Sequence, residues 1–204
     1  MIARTTHPAM LLRRLRDDRS GATLTEFAFV APVLILLVMG VFDMAHTQYT
    51  SALLNGAIQK AGRDMTLESA GSRITAVDAR VRAQVQTVVP NNATIEFERL
   101  SHFDFSDIGE PEEWDDFDGN GTCNGGEPYI ESNGSAGWQE DRGEAGIGGA
   151  RDAVLYTAIV SYPRLFPIHA FTDMPSNVTL RASTVLRNQP FDEQDRSTDA
   201  EQCT

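Results

Sequence analysis

Residues 20–43, SGATLTEFAFVAPVLILLVMGVFD, decide how the rest of the chain is arranged. Residues 27–42 carry no charge, a run of about 16 residues or roughly 24 Å of helix. With residues 22–25 the run reaches about the 20 residues that a helix needs to cross a bilayer. One carboxylate, Glu26, lies inside this segment, where a charge is costly and usually has a specific partner. The stretch therefore predicts a transmembrane helix with a functional residue near its start.

The charges on the two flanks predict the orientation of this helix. Arginine predominates before Gly21, and the next Lys or Arg after the apolar run is Lys60. An excess of arginine predicts a cytoplasmic N-terminal side and an exported C-terminal part. A cleaved secretory signal would show a small-residue break after the apolar core. Residues 43–64 continue a helical pattern instead, which favours a retained single-pass anchor.

The stretch from Gly21 to about Asp64 resembles the N-terminal region of TadE-like proteins, the minor pilins or pseudopilins of the Tad (tight adherence) type IVb pilus. The shared order is a basic leader, a glycine, four small or apolar residues, Glu-Phe and an apolar run. The resemblance implies that a prepilin peptidase cuts between Gly21 and Ala22 and that Glu26 belongs to the processing signal. Phe27 replaces the tyrosine usual in the major pilins of this system, which points to a minor component.

Cleavage after Gly21 would place a new α-amino group one helical turn from Glu26. A buried carboxylate is tolerated when it is paired, so the expected partner is the N-terminal ammonium of a neighbouring subunit, which would set the axial register. The alternative is that Glu26 reaches water at the membrane interface. Pro32 removes a helix hydrogen bond and is expected to kink the segment or to let it melt locally.

The composition limits what the exported part can be. About 160 residues suffice for one domain with a core. The formal net charge of −12 becomes about −15 once residues 1–21, with five Arg and two Asp, are removed. Such an acidic domain is a poor partner for nucleic acid or anionic lipid.

The periodicity of the exported part predicts an α+β fold. The first helix is expected to continue to about residue 67, and residues 73–89 have helical spacing that Pro90 ends. Residues 93–105, 153–162 and 177–187 read as strands. The prediction is an N-terminal transmembrane helix extending into a pilin-like domain, with a second helix and a small antiparallel β-sheet that carries a long calcium-binding loop.

The predicted boundaries follow from these elements. They are a cytoplasmic leader at 1–21, a transmembrane helix at 22–44, an exported domain at 45–191 and an acidic tail at 192–204. Near the end of the domain, RNQPF at 187–191 resembles the family's Arg-Asn-(Glu)-Pro-Phe ending, with Gln in place of Glu.

A loop over residues 106–149 contains a candidate metal site. Residues 116–127, DFDGNGTCNGGE, fit the calcium-loop pattern D-x-[DN]-x-[DN]-G-x5-E. Ca²⁺ takes six to eight hard oxygen ligands, which this spacing wraps around one point. Gly121 would make the turn, and the predicted ligands are Asp116, Asp118, Asn120, Thr122 through its carbonyl, Asn124 and Glu127. The alternative is a solvated acidic loop that matches the pattern by chance.

The flanks of this loop do not resemble EF-hand helices, since glycines and Pro128 surround it. We therefore expect a calcium loop within a β-domain, with a structural role. Its dissociation constant should be roughly 10⁻⁴ to 10⁻³ M, which is typical of extracellular modules. A degenerate second copy follows, without the turn glycine, and the sequence leaves its function open. Its candidate ligands are Glu131, Asn133, Ser135 and either Glu140 or Asp141.

The two cysteines, Cys123 in this loop and Cys203 near the C-terminus, predict one disulfide in an exported domain. It would close a loop of about 80 residues, a stabilisation of roughly 4 kcal/mol in the chain-entropy model. It would also tether the acidic tail. Two unpaired thiols, or bonds between subunits, are the alternatives.

Enzymatic readings find little support. The sequence contains no nucleophile elbow, zinc-protease motif, phosphate loop or dinucleotide fingerprint. The carboxylates Glu112 and Glu113 are expected to be solvated members of an acidic loop, or to assist calcium.

The sequence therefore predicts a non-enzymatic, single-pass minor pilin of the inner membrane. Its N-terminus is expected in the cytoplasm and its domain in the periplasm, or outside the cell in a pilus. The resemblance implies as partners other Tad pilins, the prepilin peptidase and the inner-membrane assembly platform. The alternative is a membrane-anchored periplasmic scaffold or binding protein that never enters a filament.

Overall fold

The computed structural model describes residues 20–67, 74–135, 137–149, 151–187 and 200–203. The predicted leader up to residue 19, the motif residues 188–191 and the tail residues 192–199 and 204 lie outside this range. The helices are α1 (Ser20–Leu67) and α2 (Ile74–Val85). The strands are β1 (Thr94–His102), β2 (Pro128–Ile130), β3 (Glu144–Ala145), β4 (Ala153–Pro163), β5 (Asn177–Arg187) and β6 (Ala200–Gln202).

The chain divides into two compact units. The first contains the described residues up to His46 together with Leu165–Met174, and the second contains Thr47–Arg164 and the described residues from Pro175 onward. α1 contributes its first half to one unit and its second half to the other.

In the first unit α1 is apolar on all sides. Phe29 exposes 84% of its surface and Val33 exposes 68%, which is unusual for a helix in water and typical of one in lipid. Among the described residues, one helix is long and apolar enough to cross a membrane. It is α1, and the candidate span is Thr23–Met65. This fits the predicted single-pass anchor. α1 continues through Pro32 without ending.

The same unit contains part of the connection between β4 and β5. Pro167–Ala170 form a 3₁₀ turn in which Ile168 is buried. An apolar groove lies between this turn and α1, lined by Pro32, Val33, Ile35, Leu36, Met39, Pro167, Ile168 and Phe171. The connection therefore covers part of the apolar helix, which the sequence did not predict.

The second unit is built on a four-stranded antiparallel sheet in the order β3-β1-β4-β5. In β4, Ala158 lies opposite Phe97 of β1 and Ala182 of β5. β4 lies between two strands and is buried along most of its length, which explains its continuous apolar run. β5 lies at an edge, and its burial alternates residue by residue, as expected for a strand with one face on the core.

Both helices supply the rest of this core. α1 buries Leu54 and Ile58, and α2 buries Val77, Val81 and Val85, at the four-residue spacing of one helical face. The approach of α1 to β5 is close at Gly62, where an added Cβ would lie 2.9 Å from Thr184 Cγ2. A glycine is therefore required by packing rather than by backbone conformation.

A polar cluster ties α2 to the sheet. Asp78 of α2 accepts hydrogen bonds from Arg99 of β1 and, at 2.7 Å, from the Tyr156 hydroxyl of β4. The Arg99 guanidinium also lies over the Tyr156 ring, 5.0 Å from its centroid. Burial, with the hydrogen bond to Asp78, raises the pKa of Tyr156 above its usual range. Asp78 therefore receives both a guanidinium and a hydroxyl donor where exposure to water is low.

The α+β fold, with its long apolar helix, second helix and antiparallel strands, is as predicted. α1 ends at Leu67 and β5 spans residues 177–187, both as expected. α2 is shorter than the predicted 73–89, because residues 86–89 form turns before Pro90. The region 106–149 is not the plain loop that we expected, since β2 pairs with β6 and β3 pairs with β1.

Candidate functional site

The centre of the candidate metal site is Asp116, whose carboxylate folds the loop around itself. Its Oδ1 accepts the N–H of Gly119 at 2.8 Å and of Asn120 at 3.1 Å, and its Oδ2 accepts the N–H of Gly121 at 2.9 Å. The hydrogen bond from Gly121 has the largest effect, and together with the other two it holds the pKa of Asp116 below its usual value. Gly121 has φ of 75°, a left-handed conformation that favours glycine, as predicted for the turn position.

The next side chains repeat this local pattern. Asp118 Oδ1 accepts the N–H of Asn120 at 3.0 Å, and Asn120 Oδ1 accepts the N–H of Thr122 at 2.7 Å. The Asn124 side-chain amide donates to the Thr122 carbonyl at 2.8 Å. Short polar side chains that bond to backbone two residues ahead favour such turns. The predicted ligands therefore lie in successive turns of one coiled loop.

Glu127 closes the loop from its far end. It is buried, and its Oε1 accepts the Phe117 N–H at 2.8 Å while its Oε2 accepts the Asn124 N–H at 3.2 Å. Oxygen atoms of Asp116, Asp118 and Glu127 all lie within 4.8 Å of one another. Three carboxylates this close repel one another, so the donor set suits a divalent cation that prefers oxygen.

The six predicted ligands differ in how the structure places them. The structure brings together the three carboxylates of Asp116, Asp118 and Glu127. Asn120 hydrogen-bonds to Asp118 within this group. The Asn124 side-chain N–H donates to the Thr122 carbonyl, so an ion would use the Asn124 Oδ1 and the second lone pair of that carbonyl.

The elements beside the loop are extended, as predicted from the glycines and Pro128. Trp114 pairs with Tyr129 in an isolated bridge just before the loop, and β2 begins at Pro128 just after it. Within the described residues 104–149 there is no α-helix. The loop therefore lies between two extended segments rather than between two helices.

The predicted disulfide is present, and it joins the loop to the C-terminal strand. Cys123 and Cys203 are bonded, with their Cα atoms 5.5 Å apart. The Gly126 N–H donates to the Cys203 carbonyl at 3.1 Å, and the Cys203 N–H donates to the Glu127 carbonyl at 2.8 Å. These bonds extend the β2–β6 pairing up to the last candidate ligand.

The predicted processing residues, Gly21, Ala22 and Glu26, lie at the start of α1. α1 begins at Ser20, so the Gly21–Ala22 peptide bond lies in its first turn. Gly21 and Glu26 are exposed. The peptide bond that the resemblance marks for cleavage therefore lies at the described N-terminal end of the helix.

The sequence did not predict the burial of two further carboxylates, Glu112 and Glu131. Glu112 is completely buried, and its carboxylate accepts the N–H groups of Ser132 and Gln139. The expectation that Glu112 is solvated is therefore wrong, while Glu113 is exposed as expected. The surrounding sequence is acidic and rich in glycine, so it carries no apolar periodicity from which burial could have been inferred.

Comparison with known families bears on α1. The family model described as TadE-like protein matches residues 21–63, which confirms the resemblance predicted from Gly21, Glu26 and the apolar run. No significant match to a curated protein or to a solved structure was found. The matched residues end before β1, so the candidate metal site lies outside them.

Proposed function

We propose that this protein is a minor pilin of a Tad-type pilus, processed by a prepilin peptidase after Gly21 and assembled through α1. The observation that carries the proposal is the TadE-like match over residues 21–63. The match covers the candidate cleavage position, Glu26, the apolar run and the continuation of α1 toward the exported domain. An apolar helix that continues directly into a folded core is suited to hold that domain at a filament surface.

Assembly would use the apolar surface of α1. In lipid this surface contacts acyl chains, and in a filament the helices of other subunits would replace those contacts. Glu26 would then pair with the α-amino group of Ala22 on a neighbouring subunit. Such a pair is favourable only when both charges are present and hydrogen-bonded, so it would select the correct axial register.

The exported domain would bind Ca²⁺ through the loop 116–127. The three clustered carboxylates support this proposal, together with the backbone turns that hold Asp116 and Glu127 in position. The ion would neutralise the mutual repulsion of the carboxylates and fix the loop. Its role would be structural, and we propose no catalytic activity.

Filament fractionation tests the assembly proposal against a scaffold function. Pili sheared from the native host should contain the mature chain, and Glu26→Gln should leave it in the membrane fraction because the pairing charge is lost. Tyr49→Phe is a matched control, since Tyr49 is an exposed α1 residue beyond the apolar run. Wild-type protein found only in the membrane, with intact pili in the sheared fraction, would contradict the minor-pilin proposal and favour the scaffold.

A further inference from the structure

Glu131 is a buried carboxylate that is only half satisfied. It is 5% exposed. Its Oε1 accepts the N–H of Asn133 at 3.0 Å and of Ser135 at 3.2 Å. Its Oε2 is buried and has no hydrogen-bond partner among the described residues. A buried carboxylate oxygen without a partner is unfavourable, so this oxygen atom is suited to bind a cation.

The nearby charges make the imbalance larger. Glu112 is also buried, and its two oxygen atoms are bonded to loop N–H groups rather than to a base. Arg142, the lysine or arginine nearest to Glu131 in sequence, pairs with Asp107 and Glu113 instead. Within the described part of the chain no lysine or arginine forms an ion pair with Glu112 or Glu131.

Neutral oxygen atoms belong to the same hydrogen-bonded turn as the carboxylate, since Glu131 Oε1 and Asn133 Oδ1 accept the same N–H of Ser135. Asn133 Oδ1 accepts the N–H of Ser135 at 2.9 Å, and the Ser135 hydroxyl donates to the Gly137 carbonyl at 3.3 Å. The Asn133 side-chain amide donates to the Asp141 carbonyl at 3.4 Å. Carboxylate, amide, hydroxyl and carbonyl oxygen atoms form the donor set that Ca²⁺ prefers.

We propose that Glu131 is the anionic ligand of a second Ca²⁺ site, completed by Asn133, Ser135 and the carbonyl groups of Gly137 and Asp141. The proposal extends the calcium role proposed above but uses none of the ligands of the first loop. Of the two acidic residues that the sequence left open, Asp141 contributes its backbone, because its side chain is paired with His102 at 2.7 Å. Glu140 is exposed and is not a ligand.

The second site should bind more weakly than the first. The first loop gathers three carboxylates, whereas Glu131 is the only charged ligand here, and affinity in calcium loops rises with ligand charge. The residue at the position that Glu127 occupies in the first loop is Arg142, which cannot bind a cation.

Calcium binding to the full-length protein in detergent tests the proposal. Equilibrium dialysis with radioactive Ca²⁺, above the roughly 10⁻³ M limit of extracellular sites, should give two ions per wild-type chain and one for Glu131→Gln. Asp116→Asn with Glu127→Gln should also give one, and the triple variant none. Glu140→Gln is the matched control and should keep two. Mg²⁺ in place of Ca²⁺ should not fill the second site.

Melting temperatures separate a ligand from a structural residue. In EDTA, Glu131→Gln should melt at or above the wild-type temperature, because an unpaired buried charge is removed; in calcium it should melt below wild type. An equal decrease in both conditions, or two bound ions in Glu131→Gln, would overturn the proposal. Should Glu131→Gln fail to fold, Asn133→Ala gives the same count while it keeps the carboxylate. Failure of the first site alone would appear as one ion both in the wild type and in Asp116→Asn with Glu127→Gln, and as none in Glu131→Gln.

Discussion

The backbone N–H of Cys203 donates to the carbonyl of Glu127 across 2.8 Å, which joins the end of the chain to the last residue of the candidate calcium loop. The Cys203 side chain is bonded to Cys123 inside that loop. The loop is therefore held from within by its side-chain turns and from outside by strand β6. A change at either end is expected to affect the other.

Removal of the disulfide should destabilise the domain and weaken calcium binding. For a closed loop of 80 residues the chain-entropy model gives about 4 kcal/mol. We expect Cys123→Ser with Cys203→Ser to lower the free energy of unfolding by up to about this amount, measured by urea unfolding in detergent. Calcium affinity should fall several-fold, because Glu127 loses its support. Unchanged affinity would contradict the coupling between the tail and the loop.

Calcium should raise the melting temperature through the first loop. At about ten times its Kd, one ion stabilises by roughly 1.4 kcal/mol, or about 3 to 6 °C for a domain of this size. Asp116→Ala with Glu127→Ala should lose this part of the shift relative to EDTA. Glu113→Gln should retain this shift, because Glu113 is exposed and lies outside residues 116–127. A double variant with the full wild-type shift would show that the loop assignment is wrong.

The same shift should persist into mildly acidic solution. Because hydrogen bonds lower the pKa of Asp116, its stabilising contribution is present above the unfolded pKa and is lost as pH falls through the lower folded value. The calcium-dependent rise in melting temperature should therefore persist from pH 7 to pH 5. Its loss at pH 5, without unfolding, would contradict the described geometry around Asp116.

Gly62 and Gly56 on α1 should respond differently to alanine. An added Cβ at Gly62 would lie 2.9 Å from Thr184 Cγ2, whereas at Gly56 it would meet no atom within 4 Å. Overpacking costs about 1 to 3 kcal/mol, and the helix gains about 1 kcal/mol when alanine replaces glycine. We expect Gly56→Ala to stabilise the protein. Gly62→Ala should be less stable than Gly56→Ala, as measured by thermal unfolding. Thr184→Ala should rescue Gly62→Ala, and failure of this rescue would contradict the close approach.

The cluster around Asp78 should be a main link between α2 and the sheet. Removal of one partner from a fully buried ion pair costs about 3 kcal/mol or more, and the Asp78–Arg99 pair is mostly buried, with 20% and 16% of the two side chains exposed. We expect Asp78→Ala to approach this loss and Tyr156→Phe to cost about 1.5 kcal/mol, both measured by urea unfolding. Glu98→Ala is the control, since the Glu98–Arg181 pair is at the contact limit of 4.0 Å and largely exposed. An equal effect of Asp78→Ala and Glu98→Ala would contradict the assignment.

The sequence predicted the elements whose pattern is local. α1 ends at Leu67 and β5 spans residues 177–187 as expected, because apolar spacing and strand alternation report directly on burial. The turns around Asp116 are also local, because the residues that form them lie within about five positions of one another. Burial of Glu112 could not be predicted, since it depends on the N–H groups of Ser132 and Gln139, which are 20 and 27 positions away in sequence. Burial of Glu131 has no apolar pattern around it from which it could be inferred. The cover over α1 at residues 167–171 likewise depends on tertiary packing.

The intact mass of the protein extracted from its native host's membrane tests the central claim most directly. The account predicts a species that begins at Ala22, and it predicts that Gly21→Ala abolishes this species. A chain that retains residues 1–21 would contradict processing as a pilin and leave a simple membrane anchor. A chain cut beyond the apolar run would contradict assembly through α1 altogether.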